Sequence, residues 1–145
     1  MRGKLLVISI FLIASVLLSA CGGGTEGSAE GLKMASMDAM LAEVKEAPLS
    51  VQQAYQFAVA NPDVTQHIPC YCGCGAMGHT SNYSCYVAGE NQDGSVLYDE
   101  HALGCSICVD ITQDAMRLQK EGKAISEIRE YIDATYAQYG PSNMP

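Results

Sequence analysis

The strongest constraint on how this chain folds is a run of cysteines at alternate positions, Cys70, Cys72 and Cys74, in the segment Pro-Cys-Tyr-Cys-Gly-Cys-Gly. In an extended strand, all three side chains would lie on the same face. Cysteines so close in sequence rarely satisfy disulfide geometry with each other, and the glycines allow a tight turn that lets neighbouring thiolates converge on one ion. The spacing therefore favours a metal site and predicts that residues 67–104 fold as loops and short strands around their thiols.

A second cysteine motif, Cys105-Ser106-Ile107-Cys108, lies where a helix is predicted to begin. The free N–H groups and the dipole of a helix N-terminus stabilise a thiolate, so such pairs are either metal ligands or redox dithiols. His67 and His101 lie in polar stretches, where a solvated histidine is the common outcome, and we do not expect either to be a ligand. The candidate metal ligands are therefore Cys70, Cys72, Cys74, Cys85, Cys105, Cys108 and His79.

The N-terminus predicts an exported, lipid-anchored protein. Arg2 and Lys4 precede an apolar run over residues 5–18, which is typical of a signal-peptide core and short for a membrane span. The run ends at Leu-Ser-Ala-Cys, which predicts a signal peptide over residues 1–20 and a lipid on Cys21. Acyl chains there would hold the protein at the extracytoplasmic face of the cell membrane. Residues 21–32, rich in glycine and small polar residues, predict a flexible tether.

The six cysteines beyond Cys21 leave three arrangements open: three disulfides, a metal site, or one disulfide beside a metal. Their clustering with histidines favours the metal. Sulfur-rich ligation selects Cu(I) or Zn(II), because hard ions prefer oxygen ligands. Met34, Met37 and Met40 resemble the thioether ladders that bind monovalent copper, although methionines at this spacing are also typical of an apolar helix face.

Residues 33–145 are predicted to form one mainly α domain, with a C-terminal antiparallel helical hairpin and a central cysteine-rich region of loops and a short β-hairpin. Apolar periodicity and end signals predict helices over 34–46, over 51–60 with Ser50 as the cap, over 108–121, and from Ser126 to Gly140. Short strands are predicted over 84–88 and 95–98, joined by a turn at Asp93-Gly94.

The net negative charge limits the kinds of partner that the protein can bind. The chain has a net charge of −8, and removal of Arg2 and Lys4 with the signal peptide leaves −10. Such a balance argues against nucleic acid and suits a cationic ligand. We expect a metal chaperone or sensor with a metal-donor, metal-acceptor or redox partner in the envelope. The alternatives are a thiol–disulfide oxidoreductase in which Cys105 or Cys108 attacks, and a disulfide-stapled interaction domain.

Two family resemblances follow from these motifs. The segment from Pro69 to Gly75, with Met77-Gly78-His79 and Cys85-Tyr86-Val87 after it, resembles the bacterial lipoproteins named for their PCYCGC motif, a functionally uncharacterised family. More faintly, residues 105–141 are similar to the CcmH-type thiol oxidoreductases of cytochrome c maturation. That similarity implies that Cys105 and Cys108 form a redox pair that exchanges disulfides with apocytochrome or heme-ligation partners, although the upstream cysteine cluster departs from that family.

Overall fold

The computed structural model describes residues 31–144. The predicted signal peptide, Cys21 and nearly all of the predicted tether lie outside the described residues, so they stay predictions. In the described part of the chain, no helix combines the length and the apolar character that crossing a membrane requires.

The architecture is mainly α, as predicted. Residues 31–144 form five α-helices and a two-stranded sheet, connected in part by short 3₁₀ turns. The helices are α1 (Ala42–Glu46), α2 (Leu49–Ala60), α3 (Pro62–Thr65), α4 (Ser106–Lys120) and α5 (Ile125–Tyr136). The strands are β1 (Val87–Glu90) and β2 (Val96–Tyr98), and the 3₁₀ turns are Met37–Ala39, Cys74–Met77, Tyr83–Cys85 and His101–Leu103.

The core forms where α4 packs against both α2 and α5. Its fully buried side chains come from all three helices and include Tyr55, Phe57, Ile111, Ile128 and Ile132. The α4–α5 pair, joined by residues 121–124, is the predicted helical hairpin. Apolar residues at helical spacing on both helices explain why that hairpin was predictable.

The N-terminal helix is not continuous, and the prediction of one helix over 34–46 is wrong. Ser36 Oγ accepts a hydrogen bond from the Asp38 N–H at 3.2 Å and starts a 3₁₀ turn instead. Met40 then adopts an extended backbone, which places its side chain in the core at 4% exposure. Only α1 remains helical. The methionines therefore do not form one helix face, because packing overrides their local periodicity.

Two predicted helix caps are also wrong. α2 begins at Leu49, one residue before Ser50, so that serine lies inside the helix. α5 begins at Ile125 and ends at Tyr136, short of the predicted glycine. Its first turn is capped by the Glu127 carboxylate, which accepts a hydrogen bond from the Ala124 N–H at 2.9 Å. A side chain inside the helix thus replaces the expected serine cap.

The predicted β-hairpin is present with shifted strands. β1 and β2 pair antiparallel, and Gly94 adopts a positive φ of 83° in the predicted turn. The Ser95 N–H donates to Asp93 Oδ1 at 3.0 Å, which stabilises that turn. β1 starts later than predicted because the preceding residues form a 3₁₀ turn, Tyr83–Cys85, that carries Cys85 into the core.

The last residues fold back onto the cysteine loop. Asn143 donates its N–H to the Cys70 carbonyl at 3.1 Å, and its Oδ1 accepts the Cys70 N–H at 2.7 Å. Its Nδ2 donates to the Ser81 carbonyl at 3.0 Å. Gly140 passes so close to Tyr71 that an added Cβ would lie 2.8 Å from the Tyr71 carbonyl oxygen. We call residues 140–143 the C-terminal clamp.

We expect Gly140→Ala to lower the free energy of unfolding by about 1–3 kcal/mol, because the new methyl group would overlap a backbone oxygen that cannot easily move. Denaturant unfolding of the reduced chain measures this change. Gly104→Ala is the matched control, since within residues 31–144 no atom beyond its chain neighbours lies within 4 Å of its Cβ position, and its φ of −107° suits alanine. Equal unfolding midpoints for the two variants would contradict the close approach.

Candidate metal centre

The cysteine loop turns on two glycines. Gly73 and Gly78 have φ values of 84° and 90°, a left-handed conformation that side chains disfavour, and they bracket the 3₁₀ turn Cys74–Met77. The chain therefore reverses after Cys72 instead of continuing as a strand. As a result, the sulfur atoms of Cys70, Cys72 and Cys74 all lie within 4.8 Å of one another. The predicted convergence of alternate cysteines is present, produced by a turn.

Cys108 joins the two cysteine motifs. It lies in the first turn of α4, fully buried, and its Sγ is 3.1 Å from Cys105 Sγ. It is also 3.3 Å from Cys70 Sγ and 3.6 Å from Cys72 Sγ. Cys105 and Cys72 are partly exposed. The cluster therefore has a buried centre and two thiols at the protein surface.

The last cysteine of the set, Cys85, completes the buried side. Its Sγ lies 3.8 Å from Cys74 Sγ and within 4.8 Å of the sulfurs of Cys70 and Cys108. All six predicted cysteines are thus brought into one continuous cluster, and each is a free thiol in the structure.

His101 lies at this cluster, and the expectation that it is a solvated histidine is wrong. Its Nε2 is 3.5 Å from Cys72 Sγ, and Cys72, His101, Cys105 and Cys108 form a set of four donors within 4.8 Å of one another. The spacing His-x-x-x-Cys-x-x-Cys was the available signal. His67, by contrast, is exposed and lies 2.8 Å from the Asp63 carbonyl through Nδ1, so its expected solvation is confirmed.

His79 is held by a carboxylate. Its Nε2 lies 3.3 Å from Asp99 Oδ2, and Asp99 Oδ1 also accepts the His101 N–H at 2.8 Å. His79 is 8% exposed, and its Nδ1 is buried without a hydrogen-bond partner among the described residues. A nitrogen of each histidine lies within 4.8 Å of Cys74 Sγ. A carboxylate that fixes one ring nitrogen commonly leaves the other free for a metal.

The thiols differ in acidity. Cys108 donates a hydrogen bond to Cys105 Sγ. This bond lowers the pKa of Cys105 to about 5 and raises the pKa of Cys108. The Cys108 thiol also lowers the pKa of Cys70, and because Cys108 has one proton, the two acceptors compete for it. Burial raises the pKa of Cys72 and Cys74. An ion that binds these thiols as thiolates must displace the protons that they carry, so its affinity falls as the pH falls.

A family model described as "Protein of unknown function with PCYCGC motif" matches residues 10–145. The chain belongs to this PCYCGC family. No curated protein and no solved structure matches it. The resemblance to PCYCGC proteins is therefore confirmed, while the similarity of residues 105–141 to CcmH-type oxidoreductases gains no support from these comparisons.

The donor set of the PCYCGC chain can hold a metal ion. Zinc bound tetrahedrally at ~2.3 Å from each sulfur separates the sulfurs by about 3.8 Å. The closest sulfur pairs of the cluster are 3.1–3.8 Å apart, so small side-chain rotations bring them to that spacing. Thiolate and imidazole donors are those that soft and borderline ions prefer.

A buried polar network holds the first turn of α4, which carries Cys108, in this PCYCGC chain. Tyr86 donates its hydroxyl to the Cys108 carbonyl at 2.8 Å, and Asn82 Nδ2 donates to the same oxygen at 3.2 Å. Thr112 donates to Asn82 Oδ1 at 2.8 Å. All of these side chains are fully buried. Because each polar group has a partner, the network fixes the first turn of α4 and the position of Cys108.

Proposed function

We propose that this protein binds Cu(I) or Zn(II) at the cysteine cluster and hands the ion to a partner, as a metal chaperone or sensor on the extracytoplasmic face of the membrane. The observation that carries the proposal is the four-donor set of Cys72, His101, Cys105 and Cys108, within 4.8 Å of one another. Four donors of this kind complete the coordination of a soft ion without any other ligand.

The donor chemistry favours a soft ion. In residues 31–144, the groups that can converge on one ion consist of cysteine and histidine alone. Thiolates favour Cu(I) and Zn(II) over magnesium or calcium, which need oxygen ligands. The net charge of −8 attracts cations in general and adds no selectivity.

The exposure of the set favours transfer over a purely structural role. Cys72, His101 and Cys105 are partly exposed, whereas Cys108 is buried. An incoming donor from a partner protein can therefore replace the outer ligands one at a time. A structural site whose ligands are all buried would lack this access.

The proposed location rests on the N-terminal sequence. Residues 5–18 are apolar, and Leu18-Ser19-Ala20 precede Cys21 in the pattern expected of a lipid-modified cysteine. Lipid attachment there would keep the metal centre close to the membrane, within reach of membrane-bound donors and acceptors of the ion.

The test is native mass spectrometry with elemental analysis of the full chain in mild detergent, purified without oxygen or chelator and then offered Cu(I) or Zn(II). We expect a whole number of bound ions, and fewer in Cys72→Ser. Met77→Leu is the control, because Met77 is 65% exposed beside the loop and should not change the stoichiometry. A wild-type chain that binds neither ion, or whose mass is six hydrogens light because its thiols are oxidised, would overturn the proposal.

A second candidate function is thiol–disulfide exchange at Cys105 and Cys108. Cys105 is partly exposed at the start of α4, and the buried Cys108 lies 3.1 Å away, as an attacking and a resolving thiol must. The Cys105 thiolate would attack a partner disulfide, and Cys108 would then displace the partner, which leaves as two thiols while Cys105 and Cys108 become a disulfide. In the same preparation, absence of metal together with a Cys105 that alkylates faster than free cysteine would favour this function.

A further inference from the structure

We infer that the cluster is a two-ion centre, with an outer site of Cys72, His101, Cys105 and Cys108, and an inner site of Cys70, Cys74 and Cys85. The ion reaches the inner site through the outer site. This inference rests on the proposed function and deepens it, because it gives the number of ions and the route by which they enter.

The two sites share no residue. The outer site already supplies four donors, which is the full tetrahedral coordination of a sulfur-bound ion. The three remaining cysteines still form a triangle of their own, since Cys74 Sγ lies 3.8 Å from Cys85 Sγ and both lie within 4.8 Å of Cys70 Sγ. One ion cannot use both sets of donors, and three thiolates form a trigonal site of the kind that Cu(I) accepts.

His79 provides an independent indication of the second ion. A nitrogen of its ring lies within 4.8 Å of Cys74 Sγ, which belongs to the inner site, and of a ring nitrogen of His101, which belongs to the outer site. Its Nδ1 is buried and has no partner in the described part of the chain, while Asp99 fixes the other nitrogen. A buried nitrogen without a hydrogen bond is costly, and a nearby ion would remove that cost. The His79 ring is therefore a candidate donor beside Cys74 of the inner site.

The inner site has no direct contact with solvent. Cys70 and Cys85 are 0% exposed and Cys74 is 1% exposed, whereas the outer site has three partly exposed members. An ion from solvent or from a partner protein therefore meets the outer site first. The same burial predicts that an ion in the inner site leaves slowly.

Cys70 connects the two sites. Its Sγ lies 3.3 Å from Cys108 Sγ and 3.4 Å from Cys72 Sγ, both of which belong to the outer site. Two sets of three sulfurs combine members of both sites: Cys70 with Cys85 and Cys108, and Cys70 with Cys72 and Cys74. An ion can occupy each mixed set as a three-sulfur intermediate between the outer site and the inner site. The ion can therefore move inward by exchanging one sulfur at a time, without ever being released to water.

The experiment titrates the fully reduced full chain, in mild detergent and without oxygen, with Cu(I) supplied as an acetonitrile complex. Native mass spectrometry counts the ions, and a chromophoric Cu(I) chelator measures how fast they leave. For the wild type we expect two ions, one removed quickly and one at least tenfold more slowly. Cys85→Ser should retain one fast ion, and Cys105→Ser should lose the fast ion. Met77→Leu is the matched control and should retain both.

The outcomes separate this inference from the proposed function. A wild-type chain that binds one ion, or three or more, overturns the two-ion assignment but leaves metal binding intact. A chain that binds no Cu(I) overturns both. Cys74→Ser is a second inner-site variant in case Cys85→Ser does not fold, as judged by circular dichroism of the ion-free protein. Loss of the fast ion in an inner-site variant that folds would also contradict the assignment.

Discussion

Loading the reduced chain with a soft ion is expected to raise its free energy of unfolding by about 4 kcal/mol when the free ion is at about 1,000 times its dissociation constant. The donors proposed to bind the ion are distant in sequence, as Cys72 and Cys108 are. The unfolded chain does not hold these donors together, so binding stabilises the folded state. Anaerobic chemical unfolding, followed by circular dichroism with and without Cu(I) or Zn(II), measures the difference.

Cys108→Ser is the informative variant for this effect. The Cys108 sulfur of the wild type belongs to the four-donor set and lies within 3.6 Å of three other cysteine sulfurs. We expect the variant to lose the stabilisation that an ion in the outer site supplies. Met77→Leu should keep the full increase, because that side chain points to solvent. If wild-type protein unfolds at the same denaturant concentration with and without the ion, the ion does not bind the folded cluster.

Asn82→Ala is expected to lower the free energy of unfolding by about 3 kcal/mol. The substitution removes a fully buried side chain that bonds both the Cys108 carbonyl and the Thr112 hydroxyl. It leaves a cavity and weakens a satisfied polar network. Each of these effects alone costs about 1 kcal/mol or more. Denaturant unfolding of the ion-free, reduced chain measures the change.

The matched control for Asn82 is Asn91→Ala. Asn91 is an exposed asparagine in the β-hairpin that donates to Ser95 Oγ at 3.0 Å. Because water replaces that bond readily, its loss should cost less than about 0.5 kcal/mol. An Asn82 variant as stable as the Asn91 variant would mean that the buried network contributes little to stability.

The long helices were predictable because their signal is local. α2, α4 and α5 carry apolar residues at helical spacing, and their positions agree with the sequence prediction to within a few residues. Their ends were less predictable, since the Glu127 carboxylate caps α5 where a serine was expected. The extended backbone of Met40 was not predicted for a different reason. The burial of its side chain depends on packing against the core, which outweighs the local pattern.

The candidate site was predictable only in part. The spacing of Cys70, Cys72 and Cys74 indicated convergence, and the position of Cys108 at a helix start was also foreseen. His101 was missed because its proximity to Cys72 depends on how two distant loops pack together. Asn82 was missed for a similar reason, since its partners lie on α4 and nothing in the local sequence distinguishes it from a loop asparagine.

The C-terminal clamp has a consequence for how the centre is assembled. Synthesis proceeds from the N-terminus, so Asn143 is added 73 residues after Cys70, which it contacts. A nascent chain carries all of its sulfur and nitrogen donors well before it contains the residue that holds their loop in place. A chain shortened by a few residues would keep every donor and lose that support. Counting thiols alone is therefore a poor check that the centre of an expressed protein is intact.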